Sequence, residues 1–158
     1  MSEAHVREFG KWSILEPPFE WGNNIFVGHF VHIRPNVEIG DNTEIRDHCY
    51  LAEGCKIGAN TRIMQKCNIA SGAVIGDWCF LSVGVILTND RTIQYPKING
   101  QWKKEPPTIG NYVKIGAGAI ILAGVKIDDN AIIGAGSIVT HDVPKGTIWM
   151  GNPAREKT

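Results

Sequence analysis

The sequence predicts an all-β chain wound as a parallel β-helix of about six triangular coils with one long protruding loop. Three observations predict it. Reading from Val27 in steps of six gives Val27, Ile33, Ile39, Ile45, Leu51, Ile57, Ile63, Ile69, Ile75, Leu81 and Leu87; after an interruption come Ile109, Ile115, Ile121, Ile127, Ile133 and Val139. Four residues after each lies a second series, in which 16 of 17 side chains are small and Arg91 alone is not. The residue directly after the aliphatic is Gly seven times. A hexad of this kind is a short strand plus a turn, and three hexads close one coil of 18 residues. The large aliphatic fills the coil, the small residue points in where the sides converge, and Gly, Asn and Asp supply the turns.

The elements follow in order. Residues 1–26, with a break at Pro17-Pro18, are expected to form an N-terminal cap, because an open β-helix end invites pairing and needs covering. Residues 27–144 form the helix, and the tail 145–158 is expected to leave it. Residues 88–108 interrupt the period for 21 residues. A loop this long in a compact repeat is usually functional, and this one carries Asn89, Asp90, Arg91, Tyr95, Trp102, Lys103, Lys104 and Glu105. Cys49, Cys55, Cys67 and Cys79 all occupy the small inward position. They read as buried thiols in a reducing compartment, not as disulfides or a zinc site.

Composition narrows the function. The 158 residues carry 16 basic and 16 acidic side chains, 20% charged and 43% hydrophobic in all. Wholesale disorder is excluded, and a balanced charge offers no footprint for nucleic acid or an anionic membrane. The longest apolar run, Ala117 to Val125, is too short to span a bilayer. The first residues have no apolar core of signal-peptide length, so a cytoplasmic location is expected. There is no GxGxxG, P-loop or GxSxG motif.

Two segments point to a ligand. Gly116-Ala117-Gly118 and Gly134-Ala135-Gly136 lie 18 residues apart, so they stack on one edge of the prism. Without large side chains that edge exposes backbone N–H and C=O groups, which suits a pantetheine arm carrying amides along an apolar chain. His29 and His32 are three apart, on different sides of one hexad, and as metal ligands would need a third partner; no metal is expected.

The hexads, the late loop and the ending Gly134-Ala135-Gly136-Ser137-Ile138-Val139-Thr140, Asp142-Val143-Pro144 and Gly151-Asn152-Pro153-Ala154-Arg155 resemble the left-handed β-helix acyltransferases. That resemblance implies the left hand, acetyl-CoA as co-substrate and a homotrimer with the coenzyme in a groove between subunits. His29-Phe30-Val31-His32-Ile33 and Leu87-Thr88-Asn89-Asp90-Arg91 further resemble N-acetyltransferases that act on an amino sugar carried by UDP or dTDP. By this resemblance Ala117, Ala135, Thr140, His141 and Arg155 match acetyl-CoA positions, His141 replacing a usual Lys; Gly116 and Gly118 join them as backbone of the stacked edge. Lys145 and Arg155 are candidates for the nucleotide's phosphates. His29, Gln65 and Arg91 are expected on the substrate side. Asn89 is expected to orient the reactants, since an amide is no base, while Asp90, His32 or solvent takes the proton. Pro17-Pro18-Phe19 and Asn24-Ile25-Phe26-Val27-Gly28 also resemble the maltose and galactoside O-acetyltransferases. Those place a catalytic His in the long loop, where this sequence has Asn89-Asp90. A non-catalytic β-helix scaffold is the remaining alternative.

Overall fold

The computed structural model describes residues 6–92 and 103–157. Tyr95 and Trp102 of the loop, and His5, lie outside the described residues.

Most strands are two residues long, the first facing out and the second in, as in Arg62–Ile63, Asn68–Ile69 and Val74–Ile75. With six residues per side and the corner taking its share of them, little more strand than this fits before the chain turns. The strands form three parallel sheets. Sheet A runs from Val6–Phe9 to Ala154–Glu156, sheet B from Ile14–Leu15 to Ile138–Val139, and sheet C from Phe19–Trp21 to Lys126–Ile127. Successive strands visit A, B and C in turn, and away from the loop and the two ends they pair with the strand 18 residues on, as Arg62 with Phe80. The result is a left-handed parallel β-helix of about seven turns.

Three expectations are corrected. Residues 6–26 do not sit outside the coils: Val6–Phe9, Ile14–Leu15 and Phe19–Trp21 add one strand to each sheet, so the coils number about seven and not six. The tail does not leave the prism either. Ile148–Gly151 continues sheet A, and Ala154–Glu156 folds back on it antiparallel, burying Ala154 and half-burying Trp149 against the core. Aliphatic side chains exposed at the last coil need such a lid. The loop adds less than the interrupted period suggested: Val74 pairs with Thr108, 34 residues on and not 18. Residues 88–90 still turn the corner, and Pro107, not Arg91, fills the buried small position.

The small inward positions have a second requirement. Thr43 Oγ1 donates to Gly58 O (2.8 Å) and Thr61 Oγ1 to Gly76 O (2.9 Å), each reaching a corner carbonyl of the next coil. Cys49, Cys67 and Cys79 direct their thiols in the same way to Met64 O, Ser82 O and Gly110 O. A donor this short satisfies a carbonyl that would otherwise be buried and unpaired. The recurrent corner glycines have an equally local cause. A Cβ on Gly76 would lie 2.4 Å from Asn111 Oδ1 and 2.7 Å from Gly110 O. Asn111 Oδ1 accepts the backbone N–H of Asp77 at that point (2.8 Å), so the space is already taken by the next coil's turn.

Burial pushes the Cys55 thiol up to about 12 and Cys79 to about 11, while the hydrogen bond between Cys49 and Cys67 raises Cys49, with burial second, and lowers Cys67. All four thiols are buried, Cys67 included, so a reagent that needs an accessible thiolate is kept out by the fold. In native protein none of the four is expected to react with iodoacetamide at pH 8 over an hour, while all four react in denaturant; mass spectrometry counts the adducts. Alkylation of folded protein would contradict the inward placement.

Candidate active site

The three corners of the prism run as three edges, and the site residues expected from sequence are distributed over them. The A–B edge, between strands of sheets A and B, carries one residue per coil at each register: His29, Asp47, Gln65, Val83, Ala117 and Ala135. The backbone links them directly, as His48 N donates to His29 O (2.9 Å) and Gly136 N to Ala117 O (2.8 Å). His29, Gln65, Gly116 to Gly118 and Ala135 are therefore brought onto one line. At the next register a Cβ on Gly84, Gly118 or Gly136 would meet nothing within 4 Å. At this register the upper three coils therefore carry no side chain, while Val83, Ala117 and Ala135 stand beside it. The C-terminal hairpin closes its top: Gly151 N donates to Ser137 Oγ (3.1 Å), and Arg155, exposed, pairs across the hairpin with Met150, which abuts Gly134.

The lower half of the same edge is different. Trp12, Phe30, His48 and Lys66 occupy the register of those glycines, all with positive φ (55° to 62°). Left-handed backbone costs an ordinary residue roughly 1–2 kcal/mol, and elsewhere the fold mostly gives it to Asn or Gly, as at Asn42, Asn60, Gly54 and Gly72. The three rings stack, Trp12 on Phe30 at 5.1 Å and 15°, Phe30 on His48 at 4.9 Å and 5°. Trp12 remains 71% exposed and Phe30 48%. Sequence reasoning missed this column, although its 18-residue spacing is legible at positions 12, 30 and 48.

The B–C edge carries the loop. Asn89 Nδ2 donates to Ser71 O of the coil below (3.2 Å), and Asp90 Oδ1 accepts from Thr92 N (3.0 Å). The backbones of Asp90 and Lys104 pair as an isolated antiparallel β-bridge, and Glu105 N donates to Asn89 O (2.9 Å). Glu105 accepts Gly124 N on its carbonyl (2.7 Å) and holds Lys103 (3.2 Å) and Arg91 (3.7 Å) with its carboxylate. The loop's two ends are thereby clamped together, with Asn89 and Asp90 half-buried at the root. Thr140 and His141, in contact with each other at 2.8 Å, lie on this same edge two coils further on. Lys145 lies on the third edge, C–A, beside Lys126, Asp128 and Asp129.

One chain therefore does not unite the expected set. Ala117 and Ala135 are on one edge, Asn89, Asp90, Arg91, Thr140 and His141 on another, and Lys145 on the third. His32 is separated in a different way. It faces out from sheet B three strands below Ile86–Leu87, about 14 Å along the axis from Asn89. Its Nε2 lies 2.5 Å from Glu16 Oε1, which also accepts from Arg34 (2.8 Å), and the edge of its ring meets Tyr50. The His32 hydrogen bond, with Arg34 beside it, holds the Glu16 carboxyl below the usual carboxylate range. His32 cannot reach a proton at Asn89, which corrects its assignment as base for that centre. Among the described residues no three His, Cys, Asp or Glu side chains converge as a metal site.

The repeat matches the family model for bacterial transferase hexapeptide (six repeats) over residues 22–53, 54–89 and 106–141. The chain belongs to the bacterial hexapeptide transferase family. Among curated relatives, it is 51% identical over 57 residues to the galactoside O-acetyltransferase of Escherichia coli, covering 36% of this chain and 28% of that protein. It is 38% identical over 81 residues to a serine acetyltransferase of Synechococcus elongatus, covering 51% and 30%. The matched segments thus span less than a third of these relatives. Among solved structures, a hexapeptide-repeat acetyltransferase of Vibrio cholerae superposes with a TM-score of 0.66 at 26% identity, over 75% of this chain and 71% of that one. AntD, an N-acyltransferase from Bacillus cereus solved with dTDP and coenzyme A, superposes with a TM-score of 0.71 over 94% and 81%; at 22% identity this likeness concerns the fold.

Proposed function

We propose that this hexapeptide transferase is an acetyl-CoA-dependent N-acetyltransferase whose acceptor is the amino sugar of a UDP- or dTDP-linked sugar. One observation carries the reading: the heights of the parts agree. The loop root stands at the coil of Gly84, the bare glycine edge rises from there through Gly118 and Gly136 to Arg155, and His29 and Gln65 lie below. A pantetheine arm laid along the glycines brings its thioester to the loop, with its phosphates towards Arg155. The acceptor then comes from the N-terminal side. Its neutral amine attacks the thioester carbon, the C–S bond breaks, and the coenzyme leaves as a thiol carrying the proton the amine loses. Asn89 orients the reactants, Asp90 or solvent relays the proton, and backbone N–H groups near Gly116 to Gly118 face the developing oxyanion. The O-acetyltransferase relative favours hydroxyl transfer as a second reading, against which stands the absence of any His between residues 88 and 108. A hydroxyl needs a strong base, whereas a neutral amine is already nucleophilic.

The reading requires a second copy, because the glycine edge and the loop edge of one chain are different corners. In a threefold assembly with parallel axes, the A–B edge of one chain can face the B–C edge of the next in one way only. Sheet A must pack on the neighbour's sheet C, sheet B faces outward, and the C–A edge lies on the axis. That edge carries Trp78 and Tyr112, stacked at 6.4 Å and 55% and 53% exposed on the isolated chain. A groove along sheet C, lined by Glu20, Trp21, Glu38 and Lys56, then lies within the contact.

Two outcomes follow. Light scattering should give about 52 kDa, three chains of 17.4 kDa, and Trp78→Glu should shift it to the monomer while Trp12→Glu should not. A monomeric wild type at micromolar concentration would remove the shared site. Thiol release from acetyl-CoA should be fastest with a nucleotide-linked amino sugar among UDP- and dTDP-amino sugars and simple sugars. On that substrate Asn89→Ala should lower kcat about 10²-fold, with a smaller effect on KM for acetyl-CoA. Near-normal turnover by Asn89→Ala would sink the loop as the reaction centre.

A further inference from the structure

We infer that the Trp12–Phe30–His48 column is the seat of the acceptor's nucleobase, a uracil or thymine ring stacking on the free face of His48. The inference rests on the nucleotide-linked acceptor proposed above and says where on the chain the nucleotide is held.

The column has a direction. Its rings are nearly parallel and rise one per coil, so each interior face is already covered by a neighbour. Towards the C-terminus, where the glycine edge begins, the face of His48 is followed by Lys66, which is exposed, and then by Gly84, above which a Cβ meets nothing within 4 Å. A planar ring added there continues the stack at its natural spacing. It would lie between the column and the loop's level, where the sugar end of the acceptor must reach the thioester.

The neighbouring side chains suit a pyrimidine nucleoside diphosphate. Lys66, on a flexible stem, offers a cation for the diphosphate. Gln65, beside it and half-buried, presents both an amide acceptor and donors, which complement the alternating acceptor and donor groups on the edge of uracil or thymine. His29, at the register of Gln65 two coils below it, is fixed by Lys11 N donating to its ring Nδ1 (2.9 Å) and by its backbone N–H donating to Asp47 Oδ1 (2.8 Å).

The backbone supports the assignment independently. At the equivalent corner of the C–A edge the same coils use Asn42 and Asn60, which adopt left-handed backbone easily. Phe30, His48 and Lys66 adopt it at a cost, and an outlier kept against an available alternative points to use. The column's own stacking offsets part of that cost, but Lys66 is in no ring stack and carries the same strain.

The test is titration calorimetry with UDP, dTDP, inorganic pyrophosphate and acetyl-CoA on wild type and on His48→Asn. That substitution installs the fold's own corner residue, so the protein stays folded while the ring is lost; the trimer mass is checked alongside. Stacking of one base predicts that His48→Asn weakens UDP or dTDP about tenfold or more, with pyrophosphate and acetyl-CoA unchanged. Lys66→Gln should weaken the nucleotide and pyrophosphate alike. Equal nucleotide affinity in His48→Asn and wild type would overturn the seat while leaving the nucleotide-linked acceptor standing. A wild type that binds neither UDP nor dTDP would overturn both. Loss of the trimer in His48→Asn would make the column a contact between copies and overturn the seat.

Discussion

Everything in this molecule depends on the hydrogen-bonded register between a coil and the coil 18 residues later. No strand is long enough to be stable alone, and each owes its place to the strands above and below it. Gly28 N on Ile45 O, Arg46 N on Ile63 O and Met64 N on Leu81 O are successive steps of one ladder. The ladder makes the chain quasi-one-dimensional: what stands at position 48 is set against 30 and 66, whatever lies between them. The interior obeys the same rule, with Ile45, Ile63 and Leu81 stacked as a column, all fully buried. A change of period would break both at once, which is why the one large insertion is confined to a corner and clamped at its root by Glu105.

This constraint also decides where chemistry can be placed. The faces repeat, and their inward side chains are committed to the core. Outward strand positions vary but lie flat on a face, and the corners are where backbone and inserted segments can protrude, so the proposed ligand-binding groups lie along edges. An edge is a line, and a line binds extended molecules lengthwise. The order of parts on the A–B edge follows: rings, then a cation, then bare backbone, then the arginine of the closing hairpin. A line has only one wall, however. The loop that supplies polar groups at the reaction centre is a full corner away, and a rigid prism cannot bend to bring it over. On the function proposed here, association supplies what folding cannot, because Asn89 and Ala117 can share one centre only across two chains.

Much of this was legible in the sequence. The six-residue aliphatic period gave the coils, the inward cysteines and the stacked glycine segments, because each of these follows from spacing alone. The first coil was harder to read. Phe9, Leu15 and Trp21 keep the six-residue spacing, but the polar and Pro-rich residues between them hide it, and the pairing Ile14 with His32 becomes visible only in three dimensions. The tail was misread because its strand, Ile148–Gly151, lacks the hexad pattern yet finds an unfilled edge of sheet A. Within the candidate site, spacing stacked the segments of Ala117 and Ala135 on one edge, and the structure adds His29 and Gln65 to the same line. The same period sets His32 three coils below Ile86, a separation that the resemblance to a family motif obscured; what the period could not show is that Glu16 holds the His32 ring.

The central claim is that one chain's glycine edge and the next chain's loop form a single centre. Mixing two inactive variants tests it most directly. Asn89→Ala removes the loop's contribution, and Gly118→Trp blocks the edge with a residue the fold already accepts in that conformation at Trp78. Denatured together in equal amounts and refolded, the two should regain about a quarter of wild-type acetyl transfer, since chance assembly then pairs an intact loop with an intact edge across some interfaces. Recovery no greater than the sum of the separately refolded variants, in trimers shown to be mixed, would place both residues in a site within one chain and contradict the account.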